Sequence, residues 1–183
     1  MKPILILALV LLAHAAYCQQ PISNNRKITI GAELDALPYI TGGYYGSVWA
    51  GHNHMRYRVV LAKVKMPDFF VAEGFTNNKI QACAAIADYF FRPGFEKLWI
   101  GAGVEYWRQS IQTDAKLSTA TYNNAVLTIG TGYVWKFYRN FYLNPWAALH
   151  ARAGGNNKVT VDDREYNPPL VAGEVSLKIG YHL

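Results

Sequence analysis

Charged residues are scarce in this sequence: 16% of its 183 residues are Asp, Glu, Lys or Arg, whereas soluble domains usually have roughly a quarter. Cysteine is nearly absent, with Cys18 and Cys83 as its two occurrences. Beyond the first segment, no stretch is long and apolar enough for a membrane helix, which needs about 20 apolar residues. Helical periodicity is also scarce. These absences argue against a helical membrane protein and leave a charge-poor chain that is rich in Tyr and Trp.

The first segment has the pattern of an export signal. Lys2 supplies a positive charge, and ILILALVLLA supplies an apolar core too short for a spanning helix. We expect residues 1–18 to be a signal peptide and residues 19–183 to form one domain. Removing Lys2 leaves 17 basic and 12 acidic residues, a net charge of +5. Cys18 is either removed with the signal peptide or lipidated. If residues 1–18 are removed, Cys83 is the only cysteine of the mature chain, which excludes an intrachain disulfide and fits a bacterial envelope protein.

Alternation of apolar and polar residues, the pattern of β-strands, recurs along the remaining chain. It is clear in KITIGAEL, LWIGAGVEYW, AVLTIGTGYVWKF, FYLNPWAALHAR and GEVSLKIGYHL, and less regular in YYGSVWAG, RYRVVLAKV and KIQACAAIADYF. These segments predict eight strands. Because proline has no N–H for a strand ladder, we expect a bulge or a strand end near Pro145.

The connections between these segments alternate in length. The longer ones are DALPYITGG, KMPDFFVAEGFTNN, SIQTDAKLST and GGNNKVTVDDREYNPP, and the shorter ones are HNHM, FRPGFEK and YRN. Long external loops that alternate with short periplasmic turns are typical of transmembrane β-barrels. In the last long loop, Asp162 and Asp163 predict the tip of a hairpin.

The two faces of the predicted strands differ in composition. One face is apolar and uncharged in the five clear strands, as at Leu127, Ile129, Leu177 and Ile179. The other combines glycines with Trp side chains and a few charges, which suits a narrow interior packed with side chains. A soluble barrel would instead need an outer face dense in charge. We therefore predict that the apolar face meets lipid, where a midplane Lys or Arg costs roughly 2–4 kcal/mol.

The segment GEVSLKIGYHL, with Tyr181 near its end, resembles the C-terminal recognition strand of outer-membrane barrels. It departs from that family in having Leu183 where an aromatic residue, commonly Phe, is usual. With the export signal and the eight segments, the sequence resembles the small outer-membrane β-barrel families of Gram-negative bacteria, of OmpA or OmpX size.

That resemblance implies an eight-stranded antiparallel up-and-down transmembrane β-barrel in the bacterial outer membrane. We expect the last strand to pair with the first, because an open edge in lipid leaves unpaired backbone groups. The expected partners are outer-membrane lipids, lipopolysaccharide and the barrel-assembly machinery. We expect a monomer that binds neither nucleic acid nor a cofactor.

Polar residues on the inner face predict a network inside the barrel. Buried charges must be paired or neutralised. We expect three carboxylates to pair with three cations, with a neutral histidine among them. The predicted network comprises Glu33, Arg58, Glu105, His150, Arg152, Glu174 and Lys178.

Two kinds of chemistry are alternatives to a purely structural interior. Ser176, His150 and Glu174 have the residue types of an esterase, as in a lipid A deacylase-like membrane enzyme. His52 and His54 lie in one short turn, where a metal would need a further ligand. The main prediction is a barrel with a plugged lumen, without catalysis, and with a structural or surface-interaction role through its loops. A soluble periplasmic lipocalin-like barrel is the second alternative.

Overall fold

The computed structural model describes residues 28–183, so the predicted signal peptide, with Cys18, lies outside the described residues. The structure is almost entirely β-sheet. Its strands are β1 (Thr29–Asp35), β2 (Tyr44–His52), β3 (Met55–Lys65), β4 (Phe75–Phe90), β5 (Lys97–Thr113), β6 (Ala120–Tyr138), β7 (Phe141–Gly155), β8 (Val159–Val161), β9 (Arg164–Tyr166) and β10 (Val171–His182), and one α-helix, α1, spans Ala36–Ile40.

Eight strands, β1–β7 and β10, form one closed antiparallel barrel. Each strand pairs with its neighbour in sequence, and β10 closes the wall against β1 over a register that runs from Gly31–His182 to Asp35–Lys178. The eight predicted strands and the predicted closure are therefore confirmed. The two short strands β8 and β9 pair only with each other and form a hairpin in the last long connection.

The two ends of the barrel carry different connections. Residues 36–43, 66–74, 114–119 and 156–170 lie at one end, called here the loop end, and residues 53–54, 91–96 and 139–140 lie at the other, the turn end. The long strands β4–β7 extend farther toward the loop end than the sequence pattern predicts. No helix within residues 28–183 is long and apolar enough to cross a membrane.

Three of the long connections contain regular structure, and the second of them includes a 3₁₀ helix, Asp68–Phe70. The first includes α1, which was predicted as a loop; Asp35 caps it, because its Oδ1 accepts from the Leu37 N–H at 3.0 Å. The last contains the β8–β9 hairpin, with Asp162 and Asp163 at its tip as predicted. Their φ angles are 48° and 59°, the left-handed pair that a tight two-residue hairpin turn requires.

The expectation of a bulge or a strand end at Pro145 is wrong. β7 continues through this residue, and Pro145 pairs with Leu177 of β10. On the β6 side the register is the same before and after it, with Gly132 opposite Trp146 and Trp135 opposite Leu143. Between these two pairs, the β6–β7 ladder has no paired residues. The missing N–H is thus accommodated by a local gap in the hydrogen bonds to one neighbour.

In the structure, the apolar face of the alternating strand residues points outward. Leu127, Ile129, Leu177 and Ile179 are 41–63% exposed on the outer wall, whereas Thr128 and Lys178, which lie between them in sequence, are buried inside. The predicted orientation of the two faces is confirmed. A soluble barrel with an apolar interior has the opposite arrangement.

Glycines on the inner face make room for aromatic rings. A Cβ added to Gly132 would lie 2.7 Å from the Trp99 ring and 2.8 Å from the Pro145 carbonyl oxygen, and a Cβ at Gly180 would collide with the Tyr142 ring. Both aromatic side chains are fully buried. The glycines therefore set the spacing between the barrel wall and its interior.

We expect Gly132→Ala to lower the free energy of unfolding by about 1–3 kcal/mol, because the added methyl overpacks the interior against Trp99. Urea unfolding in detergent or in lipid vesicles measures the change. Gly173→Ala is the matched control, because a Cβ there meets only Leu149 Cδ2, at 3.9 Å. Equal stability of the two variants would contradict the tight packing of Trp99 against Gly132.

Candidate functional site

The charged interior of the barrel is the candidate site, and two groups of side chains dominate it. The first, called here the arginine cluster, comprises Glu33, Arg56, Arg58 and Asp88. The second, the histidine cluster, comprises Glu105, Thr128, His150 and Glu174. The arginine cluster lies in the half toward the turn end, and the histidine cluster lies in the half toward the loop end.

Strand register brings the arginine cluster together. Arg56 and Arg58 are two residues apart in β3, so both point inward. Asp88 of β4 is directly opposite Arg56. On the other side of Asp88, Gly101 leaves the space that its carboxylate occupies, because a Cβ there would collide with Asp88 Oδ1. Glu33 comes from β1, two strands away around the wall.

The arginine cluster is buried and internally paired, with each side chain at most 2% exposed. Asp88 accepts from Arg56 Nε at 2.8 Å and from Arg58 Nε and Nη2 at 2.7 and 2.8 Å. Glu33 Oε1 accepts from Arg56 Nη1 at 2.9 Å, and Glu33 Oε2 lies 3.7 Å from Arg58 Nη1. Two guanidinium and two carboxylate charges thereby cancel, as burial of charge requires.

Neutral side chains hold the Glu33 end of this cluster. Tyr142 Oη and Asn144 Nδ2 each donate to Glu33 Oε1 at 3.0 Å. Trp49 Nε1 donates to Tyr142 Oη, and Trp99 Nε1 donates to Asn144 Oδ1, both at 3.0 Å. The indoles thus fix the groups that bind the carboxylate, and the network spans the width of the lumen.

Aromatic faces enclose the two guanidinium groups. Arg56 Cζ lies 4.9 Å from the ring centroid of Phe90 and 5.4 Å from that of Trp99, and Arg58 Cζ lies 5.1 Å from that of Trp99. Cation–π attraction is strongest where water is excluded. The rings therefore stabilise the charges and also exclude water from them.

Lys178 lies beside the arginine cluster and is also fully buried. Its Nζ lies 3.5 Å from the ring centroid of Trp146 and 4.9 Å from that of Tyr45. Within residues 28–183, this ammonium has no hydrogen-bond acceptor. Cation–π contacts take the place of the ion pair that the sequence predicts for it. Nearby, Ser176 Oγ donates to Asp35 Oδ1 at 2.5 Å.

The histidine cluster places an imidazole between two carboxylates. His150 Nε2 lies 3.1 Å from Glu174 Oε2, and His150 Nδ1 lies 3.3 Å from Glu105 Oε1 and 2.8 Å from Thr128 Oγ1. Glu105 also accepts from Trp107 Nε1 at 2.6 Å and from Thr128 Oγ1 at 2.5 Å. Both ring nitrogens of His150 therefore have polar partners inside the barrel.

Side chains from the connections cover both ends of the interior. At the turn end, Phe95 of residues 91–96 points into the lumen, is 3% exposed, and packs on Phe90 and Trp49. At the loop end, Val159, Val161 and Tyr166 of the hairpin form a buried cluster with Ile111 and Tyr122 and with partly buried neighbours.

Polar contacts fasten the hairpin to the loop end. Asp162 Oδ2 accepts from Thr113 Oγ1 at 2.6 Å, and its Oδ1 accepts from Ser118 Oγ. The Ser118 hydrogen bond is the main cause that lowers the pKa of Asp162 below its ordinary value. Arg164 Nη1 donates to the Gly74 carbonyl oxygen at 3.2 Å. The hairpin is thus tied to two other loops.

Comparison with solved structures finds barrels of the same architecture. The N-terminal β-barrel domain of Pseudomonas aeruginosa OprF is 16% identical over 85% of this chain and 96% of its own length, with a TM-score of 0.53. A major outer membrane protein from Thermus thermophilus is 11% identical over 87% of this chain and all of its own, with a TM-score of 0.50. The fold is that of the bacterial outer-membrane β-barrels.

Neisserial surface protein A is also matched, at 17% identity over 84% of this chain and 94% of its own, with a TM-score of 0.49. No family model matches the sequence, and neither does any curated protein. At these identities the likeness concerns the barrel fold. The roles of the side chains inside this barrel follow from its own geometry.

The structure brings most of the predicted network residues inside the barrel but pairs them differently. Glu33 pairs with arginine as expected, whereas Glu105 and Glu174 contact His150 and not a guanidinium or an ammonium. The carboxylate pairing expected for Arg152 is wrong: its Nη1 donates to the Asn156 carbonyl oxygen at 2.7 Å, because Arg152 is nearer the loop end of β7 than the histidine cluster is.

Three charged residues and one aromatic residue are among the interior residues that the sequence pattern did not identify. Arg56 and Asp88 lie in segments whose alternation is irregular, and Asp35 falls in a segment that was predicted to be a loop. The spacing of Arg56 and Arg58, two residues apart, is the signal that would have placed both on one face. No local pattern indicates that Phe95 in a turn folds back into the lumen.

The esterase set is not assembled. Ser176 donates to Asp35, while His150 contacts Glu174, Glu105 and Thr128. The cavity next to His150 has a volume of about 20 Å³, near the space that one water needs. Within residues 28–183, no group of three or more His, Cys, Asp or Glu side chains is arranged to hold a metal ion.

Proposed function

We propose that this chain is an integral outer-membrane barrel whose lumen is closed, and that it acts through its external surface without catalysis. The fold and the apolar outer wall support the location. In that orientation the loop end faces outward and the turn end faces the periplasm, as is usual for these barrels. We further propose that it is a monomer inserted by the barrel-assembly machinery.

One observation carries the proposal of a closed lumen: the arginine cluster spans the interior and is enclosed by aromatic rings. An eight-stranded barrel is just wide enough for side chains to fill. Here, Arg56 and Arg58 extend from β3 to carboxylates on β4 and β1. Phe95 below the cluster and the hairpin above it add two further layers. An ion crossing the barrel would have to displace all three layers.

The external surface supports an interaction role. Besides the apolar outer wall, the connections at the loop end also expose large apolar side chains: Ile40, Phe69, Phe70 and Leu117 are 69–81% exposed. Loops on a rigid scaffold are common positions for binding residues. The absence of catalysis is proposed because Ser176 is engaged by Asp35 and the cavity beside His150 is too small for an acyl chain.

Planar-bilayer recordings test the closed lumen. The refolded mature chain should give no steady channels, whereas a porin in the same membrane should conduct. Phe95→Ala should also stay closed, because the arginine cluster remains; Phe91→Ala, an exposed aromatic change in the same turn, is the matched control. Insertion is checked by the heat-dependent shift of a folded barrel on a gel. Steady wild-type channels would overturn the closed lumen, and a chain that stays in the aqueous phase would overturn the membrane location.

A further inference from the structure

Three lysines lie together on the outer wall at the loop end. Lys63 and Lys65 of β3 and Lys79 of β4 line an open depression of about 340 Å³, together with Asn77 and Gly42. The three side chains share a face with the outward residues of their strands, because they fall on the odd-numbered positions of the alternation. We call these residues the lysine site.

Strand register forces like charges together at the lysine site. Lys65 is directly opposite Lys79, and Lys63 is opposite Gln81 on the same face. Like charges directly opposite in an antiparallel pair are destabilising. Within residues 28–183, none of the three lysines forms a salt bridge. An anion from outside the chain would relieve their repulsion.

The nearest loop carboxylate is already engaged. Asp68 accepts from Thr76 Oγ1 at 2.8 Å and from the Asn77 N–H at 3.3 Å. These two hydrogen bonds are the main causes that lower the pKa of Asp68, and Lys65 makes a smaller contribution. Asp68 therefore stays charged near the rim but does not pair with the lysines.

The height of the lysine site on the barrel matches the edge of a lipid layer. From Met55 at the turn end to Lys63 and to Lys65, β3 covers about 26 Å and about 33 Å at a rise of about 3.3 Å per residue. These lengths correspond to about 20 Å and about 25 Å along the membrane normal at a tilt of about 40°, so the two lysines lie just within and at the edge of an apolar band about 25 Å tall. The outward residues in between are Tyr57, Val59 and Leu61, which are 53–59% exposed.

We propose that the lysine site binds the phosphate groups of a phosphorylated lipid in the outer leaflet, of the lipid A type, with its acyl chains along Val59 and Leu61. This assignment rests on the proposed membrane function and names a partner for its external rim. Charge complementarity favours a phosphate, and the outward position at the edge of the apolar band favours a lipid over a free anion. Ammonium groups are frequent phosphate ligands in proteins.

Native mass spectrometry of the detergent-solubilised barrel with lipid A tests the inference. In the triple variant Lys63→Gln/Lys65→Gln/Lys79→Gln, we expect lipid A affinity to fall about a hundredfold, because each basic residue near an anionic lipid contributes roughly a fivefold factor. The matched control is Arg92→Gln/Lys97→Gln/Arg139→Gln, which removes the same charge at the turn end and should bind like the wild type. Phosphatidylcholine, which has no net charge, should bind weakly to all three proteins.

Inorganic phosphate distinguishes a lipid from a free anion. Millimolar phosphate should displace lipid A only weakly, and displacement at equal concentrations would overturn the lipid assignment. Unchanged lipid A binding in the triple variant, or an equal loss in the control, would overturn the site. Both variants must show the heat-dependent gel shift. If the wild type lacks that shift, the proposed function fails; a shifted triple variant with normal binding refutes the lysine site alone.

Discussion

Replacing Asp88 with alanine is expected to lower the free energy of unfolding by about 3–5 kcal/mol, the range for removing one partner of a buried ion pair. Asp88 accepts three hydrogen bonds from two buried guanidinium groups. Without it, Glu33 is the only carboxylate left in the arginine cluster, and one positive charge stays uncompensated. Urea titration of barrels folded into lipid vesicles, followed by Trp fluorescence, measures the loss.

A surface carboxylate and a double variant serve as controls. Glu73→Ala removes an exposed negative charge from a loop and should change stability by no more than about 0.5 kcal/mol. Asp88→Ala combined with Arg58→Met removes one charge of each sign, so the pair should cost less than the sum of the single changes. Additive losses, or an Asp88→Ala barrel as stable as Glu73→Ala, would contradict the cluster as a coupled unit.

The outline of the fold is predictable because its determinants are local. Lipid on one side and packed side chains on the other impose a two-residue period, so Ile129 and Thr128 can be assigned to opposite faces from sequence alone. The helix α1 escaped prediction because it is short and contains Pro38, which is unusual inside a helix.

The interior is predictable in composition but not in pairing. Which strands face each other across the lumen depends on tilt and shear, and a sequence pattern fixes neither. Glu33 thus meets Arg56 from two strands away, while Glu174 meets His150 instead of one of the three predicted cations. Aromatic faces add a second uncertainty, because Trp146 takes the place of a carboxylate beside Lys178.

Deleting Gly180–Leu183 is expected to abolish assembly of the barrel. Three of the five Cα pairs between β1 and β10 use Gly180, Tyr181 and His182, and the Leu183 N–H donates to the Ile30 carbonyl oxygen at 2.9 Å. The deletion leaves β1 with an unpaired edge along most of its length. In lipid, each unpaired backbone group costs several kcal/mol, which exceeds the stability margin of a small domain.

The deletion also removes contacts that β10 makes inside the barrel, so the expected loss of stability is larger than the loss from the missing β1–β10 pairs alone. The His182 ring packs edge-on against Trp49 and Tyr142, with centroids 5.1 and 4.8 Å apart, beside the aromatic layer at the turn end. Deleting Leu183 alone is the matched control, because it removes one backbone hydrogen bond and leaves every Cα pair of β1 and β10 intact. That control, and Leu183→Phe, should show the heat-dependent gel shift and resist added protease in vesicles, while the longer deletion should do neither. A protease-resistant, heat-shifted barrel without Gly180–Leu183 would mean that β1 and β10 do not need these rungs to close the wall.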